Sequence, residues 1–205
     1  DEPIIDPEAA DKVQVSVDQP SPTVNNEVRV KQTSPAVVEV EAPIAPMVIL
    51  GTEVPPATAT RLSWSPNHSF EGISSPTPIL IVNGSKPGPV LCLTAAIHGD
   101  ELNGIEIVRR VLYNIEAESL VGSVIGVPIV NLEGFRRTSR YLTDRRDLNR
   151  SFPGNPRGSS AARIAHSFFT QVITHCDALV DLHTGSFHRT NLPQLRADIT
   201  KPTVV

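Results

Sequence analysis

From Met47 onward, short apolar runs alternate with polar turns, and the spacing inside each run separates strand from helix. The runs "MVILG" and "ILIVNGSKPGP" read as strands, punctuated by Asn83-Gly84 and by Pro87-Gly88-Pro89. "VLCLTAAIHGDE" is apolar without interruption until its charged end, the pattern of a strand covered on both faces. Ile105, Val108, Val111 or Leu112, and Ile115 then recur at helical spacing, with Asp100 placed to cap the helix they define. A second cycle follows. "SVIGVPIVN" predicts a buried strand, 132–160 a long polar connection, "ARIAHSFFTQVITHC" an amphipathic helix with Ile164, Phe168 and Val172 on one face, and "DALVDLHTG" another buried strand. Strands alternating with helices predict an α/β domain with a largely parallel sheet, in which sites gather at the carboxyl ends of strands.

Residues 1–46 break this rhythm. They hold 9 acidic and 3 basic side chains and 7 of the 19 prolines, with no aromatic residue, so they have too little apolar surface to offset the entropy of ordering. We expect a flexible, acidic, Pro-rich tail over 1–46 and a folded domain over 47–205. The split also changes the meaning of the net charge of −4, because the tail contributes −6 and the body +2. Such a body has no broad cationic field for a phosphate backbone, which argues against nucleic acid as a partner. No apolar run approaches the roughly 18 residues a membrane-spanning helix needs. The chain opens on Asp1 rather than Met, and together with the spacer-like tail this favours a periplasmic or secreted protein over a cytoplasmic one. Cys92 and Cys176 are far below the density of a disulfide scaffold, and both read as buried thiols.

Two strand ends carry the candidate chemistry. His98 and Glu101, three residues apart where a strand gives way to a helix, can both ligate a zinc ion. The acidic pair Asp100 and Glu101 would equally well favour a helix amino terminus, with His98 a plain loop residue. A catalytic zinc commonly takes three protein ligands, and His183 in "VDLHTG" supplies a third at a later strand end. Asp181, two residues earlier, is placed to orient an imidazole from behind. The long connection between the two strand ends is arginine-rich, and Asn149 beside Arg150 could clamp a carboxylate.

The ordered set "HGDE", "GVPIVNLEGF", "RRDLNRSFPG" and "DLHTG" resembles the succinylglutamate desuccinylase/aspartoacylase family of the zinc carboxypeptidase-like superfamily, over about 88–185. The resemblance implies a three-layer α/β domain with a mostly parallel or mixed central sheet. It also implies one zinc ion per subunit held by His98, Glu101 and His183. Asn149 and Arg150 match the pair that binds a substrate carboxylate, and Arg140 the arginine that polarises the scissile carbonyl, although Arg136, Arg137 and Arg145 crowd the same loop. The implied function is hydrolysis of the amide bond of an N-acyl amino acid by a zinc-activated water. The substrate would be a small N-acyl amino acid, or a short peptide, with a free carboxylate. The family's general-base glutamate comes from beyond the His-bearing strand, and no glutamate follows Gly185. We therefore expect the amino-terminal part of a longer enzyme, cut short at its carboxyl end. A zinc carboxypeptidase or cell-wall peptide hydrolase is the second reading, and a non-catalytic metal- or carboxylate-binding protein or inactive fragment the third.

Overall fold

The computed structural model describes residues 44–66, 76–198 and 200. The expected tail lies outside these except for its last three positions. Two short strands, β1 (Met47–Ile49) and β2 (Thr52–Val54), pair antiparallel around Leu50-Gly51. Both turn residues have positive φ, 53° and 71°, the backbone a two-residue hairpin of this hand requires. The main sheet contains β3 (Thr58–Trp64), β4 (Thr77–Asn83), β5 (Lys86–Ala95), β6 (Val121–Val127) and β7 (Ala178–Leu182), in the order β3-β4-β6-β5-β7. The strands β5, β6 and β7 run parallel, while β3 and β4 are antiparallel additions, so the sheet is mixed.

Alternation along the strands sorts the core into two layers. Ile79, Ile81, Cys92, Ile125 and Val127 face one side and pack with Trp64 and with Ile164, Ala165 and Phe168 of helix α3 (Ser160–Gln171). Val82, Leu93 and Val124 face the other side, against Val108 and Leu112 of helix α1 (Asn103–Asn114). The Trp64 and Phe168 rings meet edge to face with centroids 4.9 Å apart, and Trp64 Nε1 donates to Ser167 Oγ. The result is the expected three-layer α/β arrangement. Among the described residues, no helix is long and apolar enough to cross a membrane.

The connectivity fixes where a site can form. From β5 the chain crosses by α1 to β6 on one side, and later by α3 to β7 on the other. The two crossover helices cover opposite faces, so a crevice opens at the carboxyl end of β5, where ligands bind in sheets of this kind.

Three expectations need correction. Cys92 and Cys176 form a disulfide, with Cα atoms 5.7 Å apart, rather than two free thiols. Spacing along the chain hid the pairing, because it arises only when β7 docks beside β5. Asp100 does not cap α1: that helix starts after Leu102 with no side-chain cap, and the Asp100 carboxylate accepts instead from the Phe187 backbone N–H, with Ser186 Oγ 3.0 Å from its other oxygen. The helix expected to reach Cys176 ends at Gln171 and continues as a 3₁₀ turn over Ile173–His175. The break lets Val172, at φ −126°, keep its side chain fully buried. Among the described residues β7 is the outer strand of the sheet, and Leu179 and Val180 are 46% and 45% exposed.

The disulfide closes a span of 84 residues that includes α1, β6 and α3. In the chain-entropy account, a loop of that size removes roughly 4 kcal/mol of freedom from the unfolded state. Replacing both cysteines by alanine should therefore move the urea unfolding midpoint of the oxidised chain clearly downward and abolish its response to reductant. An unchanged midpoint would show that the bridge does not stabilise this fold.

Candidate metal centre

The chain leaves β5 through Ala96, which has φ 47°, and the turn is held by Val130 N–H on the Ala95 carbonyl and Asn131 N–H on the Ala96 carbonyl. These bonds deliver His98 and Glu101 into the crevice, 4% and 3% exposed. Gly99 is required there, since a Cβ on it would lie 2.0 Å from the carbonyl carbon of Gly134 in α2 (Leu132–Arg136). His183 arrives from the end of β7 with a more open side chain, 35% exposed. The ligating atoms of His98, Glu101 and His183 lie within 4.8 Å of one another.

The two imidazoles are oriented alike. His98 Nδ1 is 2.9 Å from Glu101 Oε1, and His183 Nδ1 is 2.8 Å from Glu101 Oε2. Behind them, His98 Nε2 meets Asp147 Oδ1 at 3.0 Å and His183 Nε2 meets Asp181 Oδ2 at 2.7 Å. The second aspartate is fixed in turn by Thr94 Oγ1 on β5, whose register partner is Asp181. A neutral imidazole has one N–H, and an ionised carboxylate has none. When Nε2 donates outward to an aspartate, Nδ1 turns a lone pair toward Glu101, so a proton or a cation must lie between them. Two nitrogen lone pairs and a carboxylate converging in this way are a donor set that suits zinc, and the residues fit that ion.

Electrostatics follow from the same contacts. Burial works to raise the Glu101 carboxyl, but hydrogen bonds from His183, His98, Ser186 and the Thr184 backbone outweigh it and hold the group well below the usual carboxylate range. Burial likewise opposes ionisation of Asp147, while the charge and hydrogen bond of His98, with Arg140, bring it below its ordinary value. Hydrogen bonds to Asp181 and Glu101, against the opposing effect of burial, push His183 up to about 9.

The structure places the remaining sequence-derived residues unequally. Arg140 is at the centre: its guanidinium donates to Ser186 Oγ at 2.8 Å, to Asp147 Oδ2 at 2.9 Å and to Glu101 Oε1 at 3.3 Å. Arg136, Arg137 and Arg145, which compete with it in sequence, are exposed. Its backbone is positioned by Asn131, whose side chain accepts from Gly134 N–H to cap α2 and donates to the Arg140 carbonyl. Asn149 Nδ2 lies 3.4 Å from His183 Nε2. Arg150 is on the adjoining 3₁₀ turn, Leu148–Arg150, with its side chain in solvent. Sequence reasoning missed Asp147 and Ser186. Asp147 sits inside the quoted "RRDLNR" stretch, where a carboxylate among arginines was a usable signal; nothing in the sequence distinguishes Ser186.

A three-layer α/β domain with a His, Glu, His donor set at its switch point defines a class of folds able to hold a metal ion there, and similarity to known proteins narrows it. The chain belongs to the succinylglutamate desuccinylase/aspartoacylase family: the family model described as Succinylglutamate desuccinylase/Aspartoacylase catalytic domain matches residues 87–204. It is 39% identical over 111 residues to the N-alpha-acetyl-L-2,4-diaminobutyric acid deacetylase of Halomonas elongata, covering 53% of this chain and 32% of that protein. With a succinylglutamate desuccinylase of Pseudomonas aeruginosa it shares 32% identity over 140 residues, 63% of this chain and 39% of the other. Among solved structures it resembles the product-bound ectoine utilization protein EutE of Ruegeria pomeroyi, at TM-score 0.56 and 32% identity over 70% of this chain and 44% of that one. It also resembles a succinylglutamate desuccinylase/aspartoacylase of Rhodobacter sphaeroides, at TM-score 0.57 and 30% identity, covering 62% and 41%. The chain thus spans between about a third and two fifths of the length of these curated relatives.

The His183 shift has a sign that can be tested without metal. A folded-state value above the ordinary 6.5 means that protonated His183 stabilises the metal-free fold fully below that pH, and that this contribution disappears as the pH rises through about 9. In chelator-treated protein the His183 ring should titrate near pH 9 by NMR, and Asp181→Asn should lower that midpoint. A midpoint near 6.5 in the parent chain would show that the two carboxylates do not hold the ring as described.

Proposed function

We propose that this chain carries the metal-binding and carbonyl-polarising part of a zinc-dependent hydrolase that removes the acyl group from an N-acyl amino acid. The observation that supports it most directly is the pair of Nδ1 atoms turned onto the Glu101 carboxylate, each ring backed by an aspartate. His98, Glu101 and His183 would hold the ion. When bound there, zinc would supply Lewis-acid polarisation of the scissile carbonyl and would lower the pKa of a water to roughly 7.

The protein's own groups do the rest. Arg140 reaches the proposed ligand set, and its guanidinium can face the oxygen on which negative charge develops. Asn149, beside His183, and Arg150, on the solvent side of the same turn, would take the free carboxylate of the substrate, Arg150 by a two-pronged contact. Asp147 and Asp181 keep the imidazole Nε2–H atoms occupied, which leaves both Nδ1 atoms to the ion. The relatives that carry deacetylase and desuccinylase names support acyl removal from an amino acid as the reaction. The Cys92–Cys176 bridge supports an oxidising compartment as its location.

Metal analysis after dialysis should find one zinc per chain in the parent protein and little in His98→Ala or His183→Ala. Retention of a full equivalent by the double variant would reject the ligand assignment. Where the protein hydrolyses N-acetyl or N-succinyl amino acids, Arg140→Ala should lower kcat by about 10² to 10³. A preference for short peptides over N-acyl amino acids would turn the reading toward a carboxypeptidase.

A further inference from the structure

Ser186 joins the two charged groups on which the proposed chemistry turns. It is 2% exposed, in the loop that follows the third ligand. Its Oγ accepts from Arg140 Nη1 at 2.8 Å and lies 2.7 Å from Glu101 Oε1 and 3.0 Å from Asp100 Oδ1. A hydroxyl has one hydrogen, so it serves one carboxylate at a time, and the shorter contact is to Glu101. The direct contact between Arg140 and Glu101 is longer, 3.3 Å, so the hydroxyl makes the tighter connection between them.

The loop is built to hold this hydroxyl in place. Asp100 accepts from Phe187 N–H at 3.0 Å, and the Ser186 carbonyl accepts from Arg189 Nε at 3.0 Å. Phe187 and His188 both have φ 59°. The turn doubles back so closely that a Cβ on Gly185 would lie 2.0 Å from the Arg189 carbonyl oxygen. Asp100 therefore fastens the loop, whereas Ser186 alone passes from the loop to both Glu101 and Arg140.

We propose that Ser186 is a positioning residue: its hydroxyl sets the Glu101 carboxylate and the Arg140 guanidinium relative to each other, so that one is presented to the metal while the other is kept off it and free to face a substrate oxygen. This rests on the metal reading given above. A plug that merely fills the loop would affect stability without singling out these two groups.

The test compares Ser186→Ala and Ser186→Thr with the parent chain. Zinc affinity is measured by competition with a chromophoric chelator, and the Arg140 side-chain N–H signals are recorded in ¹⁵N-edited NMR spectra of the metal-free proteins. Losing an orienting contact behind a ligand typically weakens binding by about tenfold or more, so Ser186→Ala should fall by about tenfold. The same variant should broaden or shift the Arg140 signals. Ser186→Thr, which keeps the hydroxyl, should stay within about threefold of the parent. Parent-like affinity in Ser186→Ala overturns the proposal, as does an equal loss in Ser186→Thr. A parent chain that takes up no zinc overturns the proposed function instead. In that case unchanged Arg140 signals in Ser186→Ala overturn the positioning role by themselves.

Discussion

The Glu101 carboxylate has to be kept ionised beside two imidazoles, a guanidinium and a hydroxyl in a place that solvent scarcely reaches, and the surrounding fold answers that need. An unpaired buried charge costs several kcal/mol or more, so such a group survives only when donors are fixed around it. Here they come from four separate stretches of chain: the turn after β5, the arginine loop, the end of β7 and the loop beyond it. Asp147 and Asp181 form the outer layer. By holding each Nε2, they decide that both rings turn Nδ1 inward, and the orientation of the ligand set is therefore set by residues that do not belong to it.

Bringing those stretches together is the work of topology. Because β5 lies between β6 and β7, and the helices that precede those two strands cover opposite faces of the sheet, a crevice opens at its carboxyl end. Both histidines are delivered at that level, on adjacent parallel strands. The Cys92–Cys176 bridge ties the same two strands six and seven residues before His98 and His183. The bridge, the Asp177 carboxylate on Val90 N–H and the ladder to β5 hold β7 beside its neighbour.

Much of this was legible in the sequence because it depends on local periodicity. The apolar runs of β4 to β6, the helical spacing of Val108 and Leu112, and the apolar face of Ile164 and Phe168 all lie where the sequence predicts. The three metal-ligand candidates were legible as imidazoles and a carboxylate at strand ends, and the structure brings them to one point. What escaped depends on contacts between distant stretches. The cysteines are 84 residues apart and pair through neighbouring strands. Asp100 looked like a helix cap because its local sequence suits one, yet a loop 87 residues away supplies a better donor. Arg140 could not be separated from the other arginines of its loop until burial did so, and Ser186 has meaning only through the charges around it.

The inward orientation of both rings is the point on which the account stands, and the nitrogen chemistry of the two histidines tests it most directly. In protein labelled at the histidine nitrogens, long-range proton–nitrogen NMR before and after one equivalent of zinc reports which nitrogen of each ring changes state. The account predicts that Nδ1 of both His98 and His183 takes the shift of a metal-bound nitrogen while both Nε2 atoms stay protonated. Coordination through Nε2, or rings that do not respond to the ion, would contradict it.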